Sequence, residues 1–184
     1  MTEHRKFDFD RDYSELARAG QVAILKGSEL DTSAGHFLVY GVTEELTSRI
    51  DFGRVGLDAV ALMDAATEAG AIAVPAHPGR FGVGLHVYID KGVAADALRI
   101  VERLNGSNRP GEEERAEELI DRFGLLGTGG SDAHMVSAIG SCLTRFDNPV
   151  HDERDLVREL MGCAFNAVRL EDTVADPDAG LDGE

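Results

Sequence analysis

The sequence predicts an α/β domain, on three observations. Apolar runs of strand length alternate with amphipathic segments of helix length along most of the chain. Glycines stand where several of the helical segments should close. The length, 184 residues, suits one domain with its own hydrophobic core. Such alternation favours a mostly parallel sheet. The domain is assigned to residues 1–174. Residues 175–184 are acidic with Gly and Pro, and are expected to form a disordered tail.

The elements follow in order. Asp12 to Ala19 reads as a short helix closed by Gly20. Val22 to Leu25 and Phe37 to Tyr40 read as strands, with Gly27-Ser28 as a turn between them. Leu57 to Ala69 is a helix ended by Gly70, and Ala71 to Ala76 a buried strand running into His77-Pro78-Gly79. Leu98 to Leu104 is a strand, and Glu112 to Phe123 a helix stopped at Gly124. Leu125 to Thr128 is a short strand that feeds Gly129-Gly130-Ser131-Asp132. Cys142 to Phe146 is a strand, Asp152 to Met161 a helix, and Ala164 to Leu170 a last strand.

Composition narrows the classes. The apolar fraction is that of a soluble globular protein, and no run approaches the roughly 20 apolar residues of a membrane span. Met1 to Asp12 has no apolar core of a signal peptide, so the expected compartment is the cytoplasm. Two cysteines, Cys142 and Cys163, are too few for a disulfide framework and read as core residues. The net charge is -16, with Lys6, Lys26 and Lys91 the only lysines. Acid excess with scarce Lys suits a surface kept hydrated in concentrated salt, so a halophilic source is expected. The competing reading is an acidic protein that repels nucleic acid. No basic strip interleaved with aromatics points to nucleic acid.

Residues with metal-ligand character punctuate the apolar segments. Glu29 follows the first strand, His36 opens the second, His77 follows Ala71 to Ala76, and Asp132 and His134 follow Leu125 to Gly130. In parallel α/β folds the carboxyl ends of strands converge on one rim. Imidazoles and carboxylates gathered there make a site for Zn, Mn or Fe. Each residue also has an ordinary reading. Glu29 could be a solvated turn residue, Asp132 a helix N-cap, His36 a strand-start residue and His77 a loop residue. Arg80 could clamp a phosphate bidentately or lie on the surface of its Gly-rich loop. Glu102 and Asn105 could orient ligands from behind, and Asn105 could equally be a turn residue before Gly106. His86 and His151 read as packing or surface residues.

Five motifs together resemble the PHP (polymerase and histidinol phosphatase) superfamily. Thr2-Glu3-His4 is similar to its Thr-Asp-His motif, and Gly27-Ser28-Glu29 to its Gly-x-Glu motif. Gly35-His36-Phe37 resembles the following Gly-His strand. Ala76-His77-Pro78 and Ser131-Asp132-Ala133-His134 match the Ala-His-Pro and Ser-Asp-Ala-His motifs. The order is kept from His4 to about Leu170. The resemblance implies a distorted (βα)7 barrel with two or three divalent metals (Mn, Zn or Fe). The implied ligands are His4, Glu29, His36, His77, Asp132 and His134. The implied chemistry is phosphate-ester hydrolysis by a metal-bound hydroxide. With Arg80 added from its place three residues after His77, the candidate catalytic set is Asp132, His134 and Arg80. Complete members begin with a strand ending in His-x-His. This chain starts at the Thr-Glu-His motif, so the expectation is an N-terminally truncated barrel short of first-site ligands.

Two functions therefore stand side by side. One is an enzyme acting on a small phosphomonoester, a nucleotide or an oligonucleotide end. The other is a non-catalytic module stabilised by metal at Glu29, His36 and His77.

Overall fold

The computed structural model describes residues 1–91 and 97–174. The acidic tail predicted at 175–184 lies outside them. The elements run β1 (Thr2–His4), α1 (Ser14–Gly20), β2 (Gly27–Thr32), β3 (Gly35–Tyr40), α2 (Glu44–Arg49), α3 (Ala59–Glu68), β4 (Ile72–Pro75) and α4 (Leu85–Ile89). They continue with β5 (Ile100–Asn105), α5 (Glu112–Phe123), β6 (Leu126–Gly130), β7 (Cys142–Phe146), α6 (Glu153–Gly162), β8 (Phe165–Arg169) and α7 (Leu170–Val174).

The helices begin where their capping chemistry starts them. Thr43, Asp58 and Asp152 each accept a backbone N–H of the first turn, at 3.2, 2.9 and 2.8 Å. Each such cap is worth about 1 kcal/mol. Gly124 ends α5 in the left-handed conformation, where a Cβ would be strained.

The α/β class holds, but the sheet differs from expectation. Strands β1 to β4 form one sheet in sequence order, while β5–β6 and β7–β8 form two ribbons. Pairs β1–β2 and β5–β6 are parallel, and β2–β3, β3–β4 and β7–β8 are antiparallel. The sheet is therefore mixed, and among the described residues it does not close into a (βα)7 barrel. A short turn after Thr32 sends β3 back beside β2, a connection that only antiparallel strands allow. Between sheets, side chains replace the backbone ladder. Thr144 Oγ1 on β7 accepts from Gly129 N and donates to Gly129 O, both at 2.9 Å. The Glu102 carboxylate on β5 accepts the N–H of His77 after β4 at 2.8 Å.

The first long strand also lies elsewhere. Val22 to Leu25 is irregular, Val22 is 57% exposed, and the strand runs over Gly27–Thr32 instead. Its polar residues have partners that an apolar-run rule overlooks: Ser28 Oγ donates to Glu3 O and Lys6 O. Within β3, Phe37 and Val39 face the main core with Leu30, Leu46 and Leu62, while Leu38 and Tyr40 line the site cavity on the other face. Burying an aromatic or aliphatic side chain of this kind contributes about 2 kcal/mol. Cys142 is buried as expected, whereas Cys163 is exposed because it forms the left-handed cap of α6.

Candidate metal centre

Strand register assembles the site. Glu29 and Asp31 alternate along β2 and so share one face. The antiparallel register sets His36 opposite Asp31, and the parallel one sets His4 opposite Glu29. His36 Nδ1 lies 2.9 Å from Glu29 Oε1, and its Nε2 lies 3.0 Å from Asp31 Oδ1. His77 arrives from the end of β4, fully buried, with Nε2 3.3 Å from the same Glu29 oxygen. The ligating atoms of Glu29, His36 and His77 all lie within 4.8 Å of one another.

The charges follow from this packing. Burial raises the Glu29 carboxyl, but hydrogen bonds from His36 and His77 outweigh it and hold it well below the usual range. The Glu29 hydrogen bond raises the His36 pKa against the effect of burial, with further support from the charges of Glu29 and Asp31. Burial raises the Glu102 carboxyl, opposed by hydrogen bonds from Asn105 and the His77 N–H.

The donor set fits a divalent ion. One carboxylate and two imidazoles are donors that a divalent transition metal accepts, and their atoms lie within a spread that one ion can span. His77 Nδ1 is buried without a hydrogen-bond partner among the described residues. Such an orphan is costly unless something else satisfies it.

The second cluster faces the first across a cavity of about 540 Å³ lined by His4, Glu29, His77, Asp132 and His134 among others. Arg80 Nη2 donates to Asp132 Oδ2 at 2.7 Å and to Asn105 Oδ1 at 3.1 Å. Asn105 Nδ2 donates in turn to Glu102 Oε2 at 2.9 Å. His77, Glu102, Asn105, Arg80 and Asp132 thus form one chain of contacts between the clusters. His134 Nδ1 is 3.0 Å from the Asp132 carbonyl oxygen, which can only accept, so Nδ1 is the donor in this contact.

Five of the six expected ligands, His4, Glu29, His77, Asp132 and His134, line the cavity, and His36 joins them through Glu29. Glu29, His36 and His77 converge closely. His4 is exposed, with Nε2 3.9 Å from Glu29 Oε2 and its ring 6.1 Å from that of His134. Glu29 is a mid-strand residue rather than a turn residue, and Arg80 is half-buried against Asp132 rather than free on its loop. Asp31 went unnoticed in the sequence. Its signal was the two-residue spacing from Glu29, visible only once the strand is placed at Gly27–Thr32. His86 lies on α4 between Asp90 and Glu118, away from the site.

Residues 110–164 match the family model described as PHP-associated. No curated protein matches the sequence. The structure resembles that of PsfC from Pseudomonas syringae, with a TM-score of 0.61 and 20% identity over 80% of this chain. The chain spans 60% of the length of PsfC. It also resembles a "putative metal-dependent phosphoesterase" from Bifidobacterium adolescentis, with a TM-score of 0.53 and 15% identity, covering 87% of this chain and 84% of that one. No helix among the described residues is long and apolar enough to cross a membrane. The family match is thus confined to residues 110–164, and the two solved structures share the fold.

Proposed function

We propose that the chain hydrolyses a phosphate ester with the help of a divalent metal. The observation that carries this reading is the convergence of Glu29, His36 and His77 beside a cavity that Glu29 and His77 line together with Asp132 and His134. The resemblance to a protein described as a "putative metal-dependent phosphoesterase" supports it.

Glu29, His36 and His77 would hold the ion, and Asp132, His134 and His4 would complete or extend its ligation. A bound divalent ion supplies Lewis-acid polarisation of a phosphoryl oxygen and makes water acidic enough to attack. Asp31 fixes the ring of His36 from behind, and Glu102 fixes the backbone of His77. Arg80 presents a guanidinium beside Asp132, where it would pair with a phosphoryl oxygen of the substrate. His134, whose Nδ1 is engaged by the Asp132 carbonyl oxygen, would ligate or exchange a proton through Nε2.

The test is hydrolysis of para-nitrophenyl phosphate with Mn²⁺, alongside metal content by mass spectrometry. The wild-type chain is expected to bind metal and turn over. Glu29→Gln and His77→Ala are expected to lose both while remaining folded. Unchanged turnover in these variants would overturn the reading. A second reading, a metal-stabilised module without catalysis, is favoured by one contact: the Asp132 carboxylate already pairs with Arg80. It predicts metal binding at the first cluster with no hydrolysis.

A further inference from the structure

A second cleft of about 380 Å³ opens beside the main cavity and shares Asp132 and His134 with it. Arg80, Phe81, Ser107 and Arg109 supply most of the remaining wall. Two guanidinium groups border this one recess, on a chain whose net charge is -16. Arg80 is paired with Asp132 and Asn105. Arg109 is exposed, and its guanidinium has no ion pair or hydrogen bond among the described residues.

The cleft is built rather than incidental. Glu112, fully buried at the start of α5, accepts the N–H of Phe81 at 2.9 Å through one oxygen and that of Arg109 at 2.8 Å through the other. This carboxylate therefore ties the loop after β4 to the loop after β5 and fixes the backbone at Phe81 and at Arg109. Glu112 also borders the cleft, but its two oxygens are directed at those backbone donors. Ser107 is fixed on the same side, its hydroxyl donating to the Asp132 carbonyl oxygen at 3.0 Å.

We propose that this cleft is an anion subsite, in which Arg109 holds a second acidic group of the substrate while the phosphate ester sits at the metal centre. The substrate class is then a small phosphomonoester that carries another carboxylate or phosphate. The subsite rests on the phosphoesterase reading for its partner group, because the two cavities meet at Asp132 and His134. A guanidinium with no internal partner can give an incoming anion a bidentate, charge-assisted contact without first breaking an ion pair.

The experiment is calorimetric binding with Mn²⁺ present and salt kept low. The probes are phosphonopropionate and phosphonobutyrate, compared with propylphosphonate, which lacks the carboxylate. The wild-type chain is expected to bind at least one carboxylated probe about tenfold or more tightly than propylphosphonate. Arg109→Ala is expected to abolish that preference, and Arg109→Lys to retain part of it. Equal affinities in the wild-type chain, or a preference that survives in Arg109→Ala, would overturn the subsite. Thermal melts of each variant separate a lost contact from a lost fold. Para-nitrophenyl phosphate hydrolysis in the same preparation separates the two claims. Turnover without the carboxylate preference defeats the subsite alone, and the preference without turnover defeats the phosphoesterase reading alone.

Discussion

His77 has a backbone φ of 30°, in the left-handed region that side chains with a Cβ rarely adopt. Its ring reaches Glu29 from that conformation, while its N–H is held by Glu102. Glu102 in turn accepts from Asn105, so a buried carboxylate stabilises both a strained backbone and its own neighbour. Removing this carboxylate, as in Glu102→Ala, leaves the His77 N–H and the Asn105 amide without their acceptor. The expected result is a metal affinity lower by about 10- to 100-fold, read by chelator competition. An unchanged affinity would show that His77 holds its conformation without Glu102. Asp31 makes the corresponding contact to His36, and Asp31→Asn is expected to weaken metal binding within the same range.

Among the elements, the loop–helix junction at α5 carries an equivalent burden. Burial raises the Glu112 carboxyl, but the N–H groups of Arg109 and Phe81 and the charges of Arg80 and Arg109 lower it below its ordinary value of 4.5. A depressed folded value means that the stabilisation is present above pH 4.5 and is lost as pH falls through the folded value. Glu112→Ala is expected to cost about 3 kcal/mol at neutral pH, from two charge-assisted hydrogen bonds. The gap between wild-type and variant melts should narrow in acid. A constant gap at all pH would contradict the assignment. The same junction requires Gly79, because a Cβ there would lie 1.8 Å from the Glu112 carbonyl oxygen. On β6, a Cβ at Gly129 would lie 2.2 Å from the Leu143 carbonyl oxygen, where neither backbone can yield. Gly129→Ala is therefore expected to separate β6 from β7 and lower the melting temperature by several degrees, about the shift that 1–2 kcal/mol produces in a domain of this size.

For the whole molecule, the net charge of -16 is the dominant long-range term. Like charges repel within the compact state, and salt shortens their reach from about 10 Å at 0.1 M to about 3 Å at 1 M. The melting temperature is expected to rise as KCl increases over that range. A flat or falling curve would remove the argument for adaptation to concentrated salt.

The sequence by itself determined the α/β class, most of the later elements, and the candidates His4, Glu29, His77, Asp132 and His134 that the fold brings to the cavity. Glu112–Phe123 appears at its predicted limits because the apolar period and Gly124 are local signals. His77 and Asp132 were legible because short motifs set their positions at strand ends. Tertiary structure decided the remainder. Strand pairing depends on contacts between distant segments, so three antiparallel pairs stand where mostly parallel strands were expected, and no closed barrel forms among the described residues. The β2 strand was misplaced because its site-facing side is polar, and only its pairing with β1 and β3 identifies it. Asp31, the role of Glu112, and the free guanidinium of Arg109 emerge only in three dimensions. Their meaning lies in which atoms meet across the fold, and no local pattern records that.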